Sequence, residues 1–263
     1  MNDCLDAPAS IPIKGEWLTY ERVKLVASPG ELVRKFSELL GIAERTIVLH
    51  DRNLVVAGLR SKSGRGNSAA RMTARDAAHL LVAVLGSSHV KDSAETVRRY
   101  KETRFHKSAS GGYDDSTIAA LRILPPDHSF VDAVEALIAT AAEGSLETAM
   151  EVYVSEIEGE KIGYEAIMEI TVQTPGQLGD ISIRGGGASG HGRYGLPNPY
   201  DQHQSLHPPS EEVDAWKRKV NDYHVQSDLI QYRKVTAKTI LELGRLLSAG
   251  TKLNCYQNSA KKY

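Results

Sequence analysis

Residues 28–57, SPGELVRKFSELLGIAERTIVLHDRNLVVA, carry the strongest local signals for secondary structure in this chain. Ser28 and Glu31 have the spacing of a capping box, which predicts the start of a helix. Gly41 predicts the end of that helix, because glycine takes the left-handed conformation at little cost. Apolar residues then recur at helical spacing, so a second helix is predicted over residues 44–57. The stretch therefore predicts two helices joined by a tight turn.

A basic, glycine-containing segment follows directly, because residues 58–73 read GLRSKSGRGNSAARMT and contain no acidic side chain. The surrounding residues 22–107 have 17 Lys and Arg against 8 Asp and Glu, whereas residues 108–216 have 4 against 18. Such segregation of charge indicates modules with different partners, one of them polyanionic. The alternative is that the acidic middle of the chain neutralises its basic ends in the folded protein.

Two helices around a glycine turn, followed by a basic segment, resemble a helix-turn-helix of the winged kind. Leu40, Ile42 and Ile47 would supply the apolar contacts between the helices. The second helix would enter the major groove of DNA, and the segment 60–71 would lie as a wing or arm on the flanking backbone or in the minor groove. The residues predicted to contact DNA are Glu44, Arg45, Thr46, Leu49, Arg52, Arg60, Lys62, Ser63, Arg65, Ser68 and Arg71. We expect His50 to be a partly buried core histidine and not a base reader.

The stretch GIAERTIVLHDRNLVVAGLRSKSGRGNSAARMTARDAAHLL is similar to sequences of uncharacterised bacterial and prophage helix-turn-helix proteins, over about residues 28–105. The resemblance implies a sequence-specific DNA-binding protein that regulates transcription of bacterial, phage or mobile-element genes. One alternative is a DNA-recognition subunit for phage packaging or nucleoprotein architecture. Another is an ordinary helical domain that serves protein interaction without nucleic acid. Because one helix reads a half-site, we expect a homodimer or a higher homo-oligomer on double-stranded DNA.

The sequence after residue 107 predicts a second, acidic α+β domain over residues 117–184. A helix is predicted over residues 128–142, and MEVYVSEI, EAIMEITVQ and DISIR alternate as half-buried strands of a three-stranded antiparallel meander. This acidic domain would serve assembly or contact with a protein partner. Residues 185–210 are rich in glycine, proline and histidine, which predicts a flexible linker.

Helical periodicity returns in residues 211–263, where the last apolar helix would pack within the chain, form a dimer interface or contact DNA. Residues 1–27 are predicted as an N-terminal extension, and residues 28–107 as the DNA-binding domain. The predicted fold class is α+β, with an N-terminal helical bundle containing a winged helix-turn-helix, followed by a small antiparallel sheet with helices.

Motifs for cofactors, metals and catalysis do not have the sequence context that they need. Gly185–Gly190 matches G-x-G-x-x-G, but HGRYGLPNPY follows it and does not predict the helix of a nucleotide site. His203 and His207 would need a helix to bind one metal ion, and nearby prolines disfavour that helix. We therefore expect no enzyme, no cofactor and no metal.

The location of the protein is predicted from its cysteines and its hydropathy. Cys4 and Cys255 stand near the two ends and outside any paired motif, which is typical of a reducing cytoplasm. No run of about 18 apolar residues occurs, and the first residues do not read as a signal peptide. We expect a cytoplasmic protein without a membrane partner.

Overall fold

The computed structural model describes residues 27–62, 71–106, 112–113, 118–150, 153–157, 160–164, 166–174, 176–185, 189–202, 207–224 and 229–248. They form an α+β fold in which N-terminal helices precede a five-stranded antiparallel sheet. The helices are α1 (Pro29–Leu40), α2 (Glu44–Val56), α3 (Ala74–Gly86), α4 (Ser93–Glu102), α5 (Ala119–Arg122), α6 (Phe130–Glu143), α7 (Ser145–Ala149), α8 (Pro199–Gln202), α9 (Ser210–His224) and α10 (Ala237–Ser248). The strands are β1 (Arg104–Phe105), β2 (Tyr153–Ile157), β3 (Glu160–Tyr164), β4 (Ile167–Thr174), β5 (Leu178–Arg184), β6 (Gly190–Gly195) and β7 (Gln231–Thr236). The predicted α+β class, with N-terminal helices before an antiparallel sheet, is confirmed.

Local sequence signals account for where three of the main helices begin. Helices α1, α3 and α6 each start with a complete capping box, in which a hydroxyl and an acid three residues later bond each other's backbone N–H. The pairs are Ser28 with Glu31, Thr73 with Asp76, and Ser129 with Asp132. These caps satisfy N–H groups that a helix cannot bond internally, so they fix the first turn of each helix.

Helix α3 is the centre of the hydrophobic core. Every residue from Asp76 to Gly86 is buried, because α2, α4, α6 and α10 and the strands β4 and β7 surround it. Gly86 is close-packed, since a Cβ atom there would lie 2.7 Å from the Thr96 side chain and 2.9 Å from the ring of Tyr100. A nearly continuous apolar run is what such a surrounded helix requires.

The five-stranded sheet has the order β1-β6-β5-β4-β7, and neighbouring strands are antiparallel. One face of β4 carries Met168, Ile170 and Val172, which are buried, while the intervening residues are partly exposed. This alternation is expected for an antiparallel sheet with helices on one side and water on the other. The predicted meander is corrected in one strand: β4 and β5 pair as predicted, but β6 is the third strand, and β2 pairs with β3 in a separate hairpin.

The prediction of a flexible linker over residues 185–210 is wrong at β6, which lies inside the sheet. Its glycines reflect close packing: a Cβ atom on Gly192 would lie 2.0 Å from the Tyr113 hydroxyl, and one on Gly195 would lie 2.8 Å from the His106 ring. Glycine within a strand often marks such a close approach. Composition favoured a linker because it does not distinguish a glycine that close packing requires from a glycine that makes the backbone flexible.

The core continues across the predicted domain boundaries. Buried side chains from α1 to α4, from α6 and from the sheet belong to one hydrophobic cluster. The segment 108–116 therefore does not separate two hydrophobic cores among the described residues. Helix α10 packs within the chain against α6, and Gly244 lies so near α6 that a Cβ atom there would be 2.5 Å from the backbone carbon of Ala141. Strand β7, which leads into α10, is absent from the sequence-based prediction.

Candidate nucleic-acid interface

The turn between α1 and α2 is held by glycine conformation and by one side chain. Gly41 has a φ of 65°, and its N–H donates to the Ser37 carbonyl over 3.0 Å, which ends α1. The Ser37 hydroxyl then donates to the Ile42 carbonyl over 2.7 Å. Ile42 and Leu40 are partly buried against the core, and Ile47 of α2 is completely buried. Helix α1, the glycine turn and α2 follow one another as the sequence predicts, and α2 starts at residue 44.

Helix α2 has one buried and one exposed face. Ile47, His50 and Leu54 are buried against the neighbouring helices. On the other face, Arg45, Leu49 and Arg52 are exposed. Spacings of four and three residues place the exposed three on one side of the helix. Two exposed apolar residues flank them, Val48 (41% exposed) and Val56 (83%).

His50 is a core histidine, as predicted. Its Nδ1 lies 2.8 Å from the Ser93 hydroxyl, and that hydroxyl donates its own proton to the Val90 carbonyl. Nδ1 is therefore the donor in the first bond. Burial, together with the positive charge of Arg233, lowers the pKa of His50 to about 4. The ring is neutral near pH 7 and links α2 to α4.

A second polar bond attaches the 3₁₀ turn at Val90–Asp92 to α2. The Asn53 side-chain amide donates to the Val90 carbonyl over 2.7 Å. The turn thereby brings the exposed Lys91 beside α2. Sequence reasoning missed Lys91 because the contact joins positions 37 residues apart, and no local signal marks it.

Arg60 is the clear correction among the predicted DNA contacts. Its side chain is buried and forms a two-pronged ion pair with Asp51 of α2, with Nη2 2.7 Å from Oδ2 and a second bond from Nε to Oδ1. Its Nη1 donates to the Ser61 carbonyl over 2.8 Å. The guanidinium thus faces protein groups and is not placed to bind phosphate. It fixes the start of the arm to α2.

The Asp76 carboxylate ties the two ends of the arm together. It accepts from the Ser61 N–H over 2.9 Å and from the Ser61 hydroxyl over 3.3 Å. It also accepts from the Thr73 N–H and hydroxyl, over 3.0 and 2.8 Å, as part of the capping box of α3. Ser61 and Thr73, which are 12 positions apart in sequence, are therefore both hydrogen-bonded to the same buried carboxylate.

The remaining predicted contacts divide into three groups. Glu44, Arg45, Leu49 and Arg52 are exposed on α2, and Thr46 is half-buried there. Lys62 and Arg71 are exposed at the two ends of the arm. Ser63, Arg65 and Ser68 lie outside the described residues. Of the predicted contacts that the structure describes, Arg60 is the one buried in an ion pair with protein, and the others are exposed or half-buried.

A second polar cluster lies away from α2, beside an open cleft of about 600 Å³. His128 lines that cleft, and its Nδ1 lies 2.6 Å from the Pro125 carbonyl while its Nε2 lies 2.9 Å from the Tyr194 hydroxyl. Tyr194 is also 3.1 Å from the Tyr113 hydroxyl, and all three side chains are buried. Burial lowers the pKa of His128. With both ring nitrogens bonded to protein, this histidine is a structural link and not a free base.

The described residues contain neither a candidate metal centre nor a candidate membrane span. Across the described residues, no three side chains of His, Cys, Asp or Glu come close enough to hold a metal ion. None of the described helices combines the length and the apolar composition needed to cross a membrane. Comparison with family models, with curated proteins and with solved structures finds no match to this chain.

Proposed function

We propose that this chain is a sequence-specific binder of double-stranded DNA that regulates transcription of bacterial, phage or mobile-element genes. The observation that carries the proposal is the exposed face of α2, where Arg45, Leu49 and Arg52 stand together while the opposite face is buried. Arginine can bond a guanine edge through two hydrogen bonds, and an apolar side chain can contact the thymine methyl group.

The dimensions of this face suit the major groove. At 1.5 Å per residue, Arg45 and Arg52 lie about 10 Å apart along the helix axis, which corresponds to roughly three base pairs at 3.4 Å each. Glu44 in the first turn adds an acceptor for a cytosine amino group. Such a combination of donors, an acceptor and an apolar contact is what base discrimination needs.

Exposed cations at the ends of the arm and on the neighbouring 3₁₀ turn supply the groups for phosphate. Lys62 and Arg71 are exposed at the two ends of the arm, and Lys91 is held beside α2 by the bond from Asn53. Phosphate contacts set the register of a protein on the duplex but carry no sequence information directly. We therefore assign base reading to α2 and backbone binding to these three cations.

Protein binding through α2 is the second candidate. The exposed Val48, Leu49 and Val56 favour it, because their exposed fractions of 41%, 47% and 83% leave an apolar strip on the helix. A partner helix or groove could cover such a strip. In that case duplex DNA would not be retained at any salt concentration.

The test is selection of bound duplexes from a random pool, followed by fluorescence anisotropy at several salt concentrations. Arg45→Ala is expected to relax preference at one base position and to cost about 1–3 kcal/mol of binding free energy there. Lys62→Ala and Arg71→Ala are expected to weaken all duplexes alike and to reduce the salt dependence by about one phosphate each.

Arg122→Ala is the matched control, since Arg122 is exposed on α5 and carries the same charge away from α2. Equal losses in Arg45→Ala and Arg122→Ala would contradict base reading by α2. Failure of the wild-type protein to bind any duplex at low salt would contradict the proposal as a whole and would favour the protein partner.

A further inference from the structure

A small cavity lies between helix α9 and the sheet. Val213, Trp216 and Val220 follow one another at spacings of three and four residues, so they share one face of α9. Val213 is 7% exposed, whereas the three basic residues between Trp216 and Val220 are exposed. This face of α9 stands beside the end of the sheet where β5 begins and β6 ends, and the space between them measures about 110 Å³.

The walls of the cavity are mostly apolar. Leu178 and Leu196 line it from the sheet, and Trp216 and Val220 line it from α9. Among the described residues, no Asp, Glu, Lys or Arg contributes to the lining. A charged molecule would lose its hydration in such surroundings without gaining an opposite charge. The cavity is therefore suited to an uncharged molecule.

The wall on the sheet side is held in place by protein contacts. Nε2 of His106, which is part of the lining, donates to the Leu196 carbonyl over 2.9 Å. A Cβ atom on Gly195 would lie 2.8 Å from the His106 ring and 3.1 Å from the Leu178 side chain, so both side chains pack directly on the backbone there. This wall therefore has a defined shape before any ligand binds.

Trp216 brings a buried hydrogen-bond donor to the lining. The residue is half-buried, and its indole Nε1 is shielded from water and has no hydrogen-bond acceptor among the described residues. An indole nitrogen can only donate, and buried donors in native proteins nearly always have a partner. A ligand oxygen at this wall would supply the acceptor.

We propose that this cavity binds an uncharged, single-ring compound whose carbonyl oxygen accepts from Nε1 of Trp216. The volume limits the ligand to about one ring, since an apolar cavity of about 150 Å³ binds benzene. The carbonyl sets the orientation of the ring, as the few polar groups of a small-molecule site usually do. None of the described lining residues belongs to α2 or to the arm, so the inference does not rest on DNA binding.

Three ring compounds of similar size test the chemistry, with binding to the full chain followed by fluorine NMR of the ligand. para-Fluorobenzamide has a carbonyl and no charge, para-fluorotoluene lacks the carbonyl, and para-fluorobenzoate carries a negative charge. We expect the amide to bind and the benzoate not to bind, because the cavity offers no cation to a carboxylate. A wild-type protein that binds none of the three, or that binds the benzoate as tightly as the amide, would overturn the proposal.

Trp216→Phe tests the indole donor, because it keeps an aromatic ring and removes the N–H. The variant is expected to bind para-fluorobenzamide about tenfold more weakly, roughly the contribution of one hydrogen bond. Its affinity for para-fluorotoluene is expected to stay almost unchanged. Equal weakening of both compounds would show that Nε1 has no part in binding and would overturn the proposal.

Val220→Trp tests the location, because the larger side chain would fill the cavity and is expected to abolish binding of para-fluorobenzamide. Lys219→Trp is the matched control, since Lys219 is exposed at the preceding position of α9. Retained binding in Val220→Trp, or equal loss in Lys219→Trp, would place the ligand elsewhere and would overturn the proposal. Circular dichroism shows that each variant is folded before its affinity is interpreted.

Discussion

Replacing Arg60 by alanine tests whether this residue holds the protein together or contacts DNA. The side chain of Arg60 is 5% exposed and that of its partner Asp51 is 13% exposed, so the ion pair is largely removed from water. Arg60→Ala leaves the Asp51 carboxylate in the same place without its cation. It also removes the bond from Nη1 to the Ser61 carbonyl. A DNA-contacting arginine would instead be exposed, and its loss would leave stability unchanged.

The size of the effect follows from the burial of the pair. Removing one partner of a buried ion pair costs about 3–5 kcal/mol, because the remaining charge is left without compensation. A comparable pair at the surface is worth about 0–1 kcal/mol. The exposed pair of Arg75 with Glu135, where the arginine side chain is 65% exposed, supplies such a comparison in the same chain. For a chain of this length, about 3 kcal/mol corresponds to a shift in Tm of roughly 6–12 °C.

The assay is urea unfolding followed by circular dichroism for the wild type, Arg60→Ala and Arg75→Ala. We expect a large loss of unfolding free energy in Arg60→Ala and almost none in Arg75→Ala. The double variant Arg60→Met with Asp51→Leu is expected to regain most of the loss, because it removes both charges. If Arg60→Ala is no less stable than Arg75→Ala, the buried anchor is refuted and Arg60 returns to the set of DNA contacts.

Two further predictions concern packing and pH. Gly244→Ala is expected to cost about 1–3 kcal/mol, since its Cβ would press on the backbone at Ala141, whereas Gly30→Ala, with nothing within 4 Å, is expected to be neutral or slightly stabilising in thermal melts. The pKa of His50 is lowered to about 4 in the folded protein, so on acidification the unfolded chain binds a proton at this residue before the folded chain does. The unfolding free energy is therefore expected to fall as pH decreases from about 6.5 to 4, by at most about 3 kcal/mol. In His50→Gln, the unfolding free energy measured by urea titration is expected to vary less over that pH range. An unchanged dependence of the unfolding free energy on pH would contradict a buried neutral ring.

The elements that the sequence predicted well are those fixed by neighbouring residues. The capping box at Ser28, the glycine turn at Gly41 and the start of α2 at Glu44 all act within a few positions. The exposed face of α2 followed from helical spacing for the same reason. A pattern with a period of 3.6 residues determines which side chains share a face before any tertiary contact is known.

The elements that it missed depend on contacts between distant positions. Strand β7 reads as polar and charged, and its pairing with β4 joins Gln231 to Thr174 across the sequence. The burial of Arg60 was equally invisible, because its partner Asp51 lies on the preceding helix and nothing local distinguishes a paired arginine from a free one. Local sequence therefore indicated neither the strand nor the ion pair, because both depend on pairing between distant positions.

The orientation of α2 about its own axis is set by polar bonds in addition to apolar packing. Three neighbouring residues bond to three different segments: His50 to Ser93, Asp51 to Arg60, and Asn53 to the Val90 carbonyl. Apolar contacts tolerate small rotations, whereas hydrogen bonds require a donor and an acceptor in line.

Each residue advances the helix by about 100°, so a slip of one position would break all three bonds and would bury part of the exposed face. These polar residues therefore determine which side chains α2 presents to solvent. A surface that discriminates among ligands needs such rigid support, because side chains displaced by about 1 Å lose their geometry. Variants at Asn53 are accordingly expected to reduce the selectivity of α2 for its ligand, although Asn53 itself would not contact that ligand.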